Sequence, residues 1–142
     1  MKYSNSYGAL MILALALVLG APMIHAQARA RASLSFDFNM DQTSMPAGNY
    51  EISSLNEKVV AVRNLKNGET RLVISSGYVQ ASPAAGIPNG KLVFHKYDDQ
   101  YFLAQIWDGQ NDRGIALAES KREKEVKLSA SSQPETVVIA MK

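Results

Sequence analysis

The sequence predicts an all-β domain: an antiparallel meander of about seven short strands, closing into a small barrel or a sandwich, with one short helix in its C-terminal half. Three observations carry this. Apolar and polar residues alternate with period two through most of residues 33–141. Turn-forming residues interrupt the alternation at short intervals. The 142-residue chain has no cysteine, so a core made by packing alone must hold it.

Residues 1–28 stand apart from this pattern. Lys2 precedes an apolar run from Ala9 to Gly20, followed by Pro22 and Ala26-Gln27-Ala28. A positive end, a greasy centre and a small-residue exit make a secretory signal peptide. The run of about 12 residues is short of the roughly 20 that a membrane-crossing helix needs. Cleavage is expected after Ala28, because a cut after Ala26 would put bulky Ile24 three residues upstream. The expectation is an exported protein, periplasmic or extracellular, with residues 29–142 as a single all-β domain and no membrane span after cleavage. Without cysteine there is neither a disulfide framework nor a thiol to carry a lipid.

Arg29 and Arg31 alternate with alanine and read as a solvated tail. Leu34, Phe36 and Phe38 then alternate with Ser33, Ser35, Asp37 and Asn39, the signature of a half-buried strand. Met40 to Gly48 is a polar loop closed by Met45-Pro46-Ala47-Gly48. Tyr50, Ile52 and Ser54 begin a second strand, and Lys58 to Asn64 forms a third. Asn67-Gly68 turns the chain into a returning strand over Glu69–Ser76, since both residues tolerate positive φ. Gly77 to Gly90 carries Pro83 and Pro88, which forbid a central strand, and is expected to be a long loop with a short strand around Tyr78–Gln80. Lys91–Tyr97 and Gln100–Trp107 form a hairpin turned at Asp98-Asp99. Asp108 to Gly114 is a polar connection. Ser120 and Glu123 match a capping box, in which each side chain satisfies a backbone N–H at the other, and predict a charged, solvent-facing helix over Lys121–Lys127. Thr136–Met141 is a last strand, apolar on both faces, and so is expected to be internal or to close the sheet.

Several blocks occur together: Phe36-Asp37-Phe38, Met45-Pro46-Ala47-Gly48-Asn49-Tyr50, Lys91-Leu92-Val93-Phe94-His95-Lys96-Tyr97, then Gln100-Tyr101-Phe102-Leu103 and Trp107. This order resembles a group of small exported bacterial all-β proteins with F-D-F, L-P-A-G-x-Y and K-L-V-F-H-x-Y blocks. The chain has Met45 where the group has leucine, and Asp98 where a turn glycine is usual. The resemblance spans roughly residues 34–125. It implies an exported all-β fold and brings no particular activity.

The chemistry-bearing residues are few. His25 falls in the export segment, which leaves His95 as the one histidine of residues 29–142. With no cysteine either, the usual zinc sets cannot be assembled from one chain. A hydrolase would have to use His95, and no G-x-S-x-G elbow is present. Asp98 and Asp99 suit a turn, where Asp bonds its own backbone. Asp108 to Glu119 echoes a calcium loop, but Arg113 stands where the sharp turn needs glycine. Net charge is +2 with both signs interspersed, which gives no electrostatic footprint for nucleic acid. Aromatic residues concentrate on one hairpin. His95, Tyr97, Tyr101 and Trp107 are therefore the candidate ligand-binding residues, as one wall of a pocket for an apolar molecule. The reading is a non-catalytic β-domain, a binding or envelope structural module, with no cofactor and an unidentified protein or apolar small-molecule partner. A small barrel carrying an apolar ligand and a hydrolase built on His95 are the alternatives.

Overall fold

A computed structural model describes residues 29–142. Residues 1–28, on which the expected signal peptide and His25 fall, lie outside the described residues. Within them, no helix is long and apolar enough to cross a membrane.

The described chain is mostly strand, with one short helix. It begins with β1 (Arg29–Leu34), β2 (Phe38–Met40), β3 (Thr43–Met45), β4 (Gly48–Ser54) and β5 (Val59–Asn64). It continues with β6 (Thr70–Gln80), β7 (Lys91–Tyr97), β8 (Gln100–Trp107), β9 (Arg113–Leu117), helix α1 (Lys121–Ser129) and β10 (Glu135–Ala140). The ten strands form one sheet, ordered β1-β4-β5-β6-β9-β8, with β7 on the other side of β8 and β10 outside β7. Neighbours are antiparallel except β2, which runs parallel to the start of β8.

The period-two pattern is what packs this sheet. Ile52 and Tyr50 on β4, Val60 and Val62 on β5, Leu92 and Phe94 on β7, and Leu103 and Ile106 on β8 join a single buried cluster. Inner faces of strands far apart in the sheet therefore meet, so the sheet curls. One end is filled by the β2–β3 hairpin, whose Phe38, Met40 and Met45 are buried. Tyr50 is locked there: its hydroxyl donates to the Pro46 carbonyl at 2.6 Å and accepts from Asn64 Nδ2 at 3.1 Å.

The sheet is not closed into a barrel. No strand ladder joins β10 to β1. The two edges meet at one reciprocal backbone pair, Arg31 N–H to Lys142 O and Lys142 N–H to Arg31 O, both 2.9 Å. β10 pairs only with β7, so it is neither the internal strand nor the closing strand that its apolar pattern predicts, and Val138 is 53% exposed.

Other differences have local causes. The expected first strand splits into β1 and β2, and Arg29 and Arg31 belong to β1 rather than to a tail. Asp37 marks the break: it turns away from the strand and its Oδ1 accepts Ala47 N–H at 2.7 Å. The expected loop after Met40 contains a tight hairpin instead, turned by Asp41 at φ 53°. Asp is among the few non-glycine residues that take this conformation readily. β6 runs unbroken to Gln80 with a bulge between Ser75 and Gly77, absorbing the short strand expected there. β9 replaces part of a presumed connection.

A candidate ligand cavity at the open end

The four sequence-predicted site residues do not converge. Tyr101 points inward at the filled end, its ring stacked on Phe36 at 3.9 Å between centroids. His95 and Tyr97 lie on the opposite, outer face of the β7–β8 hairpin, beneath α1. Trp107 is buried at the far end of β8, where its Nε1 donates to Gln105 Oε1 at 3.0 Å and Lys91 Nζ sits 5.0 Å from the ring centre. None of the four lines the cavity at the open end described below.

What His95 and Tyr97 share is Glu123, which sequence reasoning placed only in a capping box. Half of that box forms: Ser120 Oγ accepts Glu123 N–H at 3.0 Å. The carboxylate does not return to Ser120. It turns into the sheet, 4% exposed, with Oε1 2.9 Å from His95 Nδ1 and 3.5 Å from the Tyr97 hydroxyl. A carboxylate only accepts, so Nδ1 carries the ring proton there. The hydrogen bond to Glu123 raises the His95 pKa above 6.5. Burial opposes that rise, the negative charges of Glu123 and Glu119 add to it, and Lys127 works against it. Burial, then the Glu123 charge, raises the Tyr97 hydroxyl. Beside them Lys127 Nζ donates to Glu119 Oε1 at 2.6 Å, which lowers the Glu119 pKa. An imidazole held by a carboxylate is half of a general-base arrangement. This one lies on the outer face, away from the cavity at the open end.

The cavity is at the other end of the curl, where no hairpin fills it. It has a volume of about 510 Å3. Ile52, Ile106, Ile115 and Met141 line its apolar part, and each belongs to the core cluster or packs against it. Above them stand Tyr78, Ser54, Arg29, Arg113, Glu57 and Asp108. Strand register explains the placement. Arg113 shares the inward face of β9 with Ile115 and Leu117, being two residues from the first and four from the second. Tyr78 is opposite Ile115 on β6, and its hydroxyl donates to the Glu57 carbonyl at 2.5 Å, tying the β4–β5 connection over the opening. Arg29 Nη1 is drawn outward, 3.8 Å from Glu51 Oε1. Arg113, Glu57 and Asp108 form no ion pair among the described residues. Asp108 Oδ1 accepts the Gln110 N–H at 2.8 Å.

Sequence reasoning missed every one of these lining residues. They come from β1, β4, the β4–β5 connection, β6, β8, the β8–β9 connection, β9 and the C-terminus. Only the topology gathers them. The chain matches no protein-family model, no curated protein and no solved structure.

Proposed function

We propose that the protein is an exported, non-catalytic β-domain that binds a small apolar or amphipathic molecule at the open end of its curled sheet. The cavity carries this reading. Its volume of about 510 Å3 falls within the usual range of small-molecule sites. It also has their usual make-up, an apolar floor with a few polar groups above it. Export rests on Lys2, the Ala9–Gly20 run and the Ala26-Gln27-Ala28 exit. The non-catalytic part rests on His95, whose ring is engaged by Glu123 on the outer face, away from the cavity.

Titration of the processed chain with an environment-sensitive fluorescent amphiphile tests the reading. Binding should saturate at one probe per chain. Met141→Trp, which adds bulk to a cavity-lining residue, should weaken it by about tenfold, the equivalent of about 1.4 kcal/mol. A wild-type chain that shows no saturable binding would remove the proposal.

A further inference from the structure

We infer that the ligand of this cavity is a zwitterionic amphiphile, with an apolar tail on the isoleucine floor and a head group that carries both an anion and an ammonium. The inference rests on the cavity reading above and adds the head-group chemistry.

Three charges at the opening form no ion pair among the described residues, although Asp108 Oδ1 accepts the Gln110 N–H. Arg113 is inward-facing above Ile115. Glu57 and Asp108 sit in the connections that flank it. The fourth charge of the lining, Arg29, is already directed to Glu51. A purely anionic head would meet the Arg113 guanidinium but be repelled by two carboxylates. A purely cationic head would meet the carboxylates and leave the guanidinium opposed. A charge closed off from water without a partner is costly, so a tight occupant must answer both signs. A phosphate or carboxylate suits the planar guanidinium fork, and an ammonium suits Glu57 and Asp108. Tyr78 and Ser54 add hydroxyls for the uncharged remainder of the head.

Five amphiphiles with one common tail test this by calorimetry, each below its micelle concentration: lauryl phosphocholine, lauryl betaine, laurate, lauryltrimethylammonium and lauryl maltoside. The two zwitterions should bind tightest, by about fivefold over either singly charged compound, the scale set by one or two partly exposed charge pairs. Whichever zwitterion leads identifies phosphate or carboxylate as the anion. Arg113→Gln should erase the advantage of the zwitterions over lauryltrimethylammonium while the affinity for lauryl maltoside stays constant. Laurate binding as tightly as the zwitterions would overturn the inference. So would equal affinity for all five, which would leave the cavity reading standing. Binding by none of them would remove both.

Discussion

The outer face beneath α1 and the open end of the sheet treat charge in opposite ways. Under the helix the buried and half-buried charges have partners from the chain itself, His95 with Glu123 and Glu119 with Lys127, and exposed Arg122 Nη2 donates to Gln100 Oε1 at 3.1 Å. At the open end Arg113, Glu57 and Asp108 form no ion pair among the described residues, and Asp108 is held only by the Gln110 N–H. Groups already satisfied within the fold contribute to holding it, because breaking a buried pair exposes a desolvation penalty. Water-exposed charges without an ion pair contribute little to stability and are free for a ligand. The contrast is sharpened by the helix itself. Its one sizeable apolar side chain near the end, Leu128, is 87% exposed. α1 is therefore docked through a carboxylate rather than a greasy stripe.

The largest effect is expected where the two regions join. Trp107, on the covered face, packs its ring directly over Gly114, the residue that follows Arg113 on β9. A Cβ at Gly114 would overlap the indole. The ring is buried, bonded to Gln105 and covered by Lys91, so it has little room to retreat. Gly114→Ala should cost about 2–3 kcal/mol in urea unfolding, the upper part of the usual range of about 1–3 kcal/mol for overpacking a core. It should also weaken amphiphile binding, because β9 carries both Arg113 and Ile115. Unchanged stability would mean that the joint is looser than its geometry indicates.

The helix face answers to pH, and the open end should not follow. The folded-state pKa of His95 is raised above 6.5. Its contribution to stability is therefore complete below that ordinary value and is lost as pH rises through the higher folded one, where the folded state binds more protons than the unfolded. Unfolding free energy should decline across that window. The loss should stay below about 1 kcal/mol, because an imidazole with 31% of its side chain open to water is screened. Glu123→Gln should flatten the decline, leaving affinity for lauryl maltoside unchanged. A decline that persists in Glu123→Gln would assign the pH dependence to another group.

How much of this could be read from the sequence follows from the range of the interactions. The β7–β8 hairpin was legible because alternation and a two-residue Asp turn are local, and Asp98 does take φ 50°. The start of α1 was legible for the same reason. β9 was not. Arg113-Gly114-Ile115-Ala116-Leu117 has only two large apolar residues, and a polar, Asx-rich connection precedes it. The fate of Glu123 was not legible either. A capping box explains the residue completely at the sequence level, while its actual partner, His95, lies 28 positions away. The open end shows the same limit in a stronger form. An inward-facing arginine at the start of a strand looks like any solvated residue until the strands around it are placed.

The smallest expected change is the most informative about the comparison. Arg113→Gln removes a full charge beside a hydrophobic core, next to Ile115 and two residues from Asn111, whose Oδ1 accepts the Arg113 backbone N–H at 2.8 Å. That backbone bond survives the substitution, and no side-chain ion pair is lost. Stability should therefore move by no more than about 0.5 kcal/mol, the range of substitutions that break no named interaction. With Glu57 and Asp108 left alone at the opening, even a small loss should grow at low ionic strength if Arg113 offsets them only at long range, and change little with salt if it does so directly. A drop of more than about 1 kcal/mol would show that the guanidinium is a partner within the fold. The open end would then be held in the same way as the helix face, and the charges there would no longer point to a ligand.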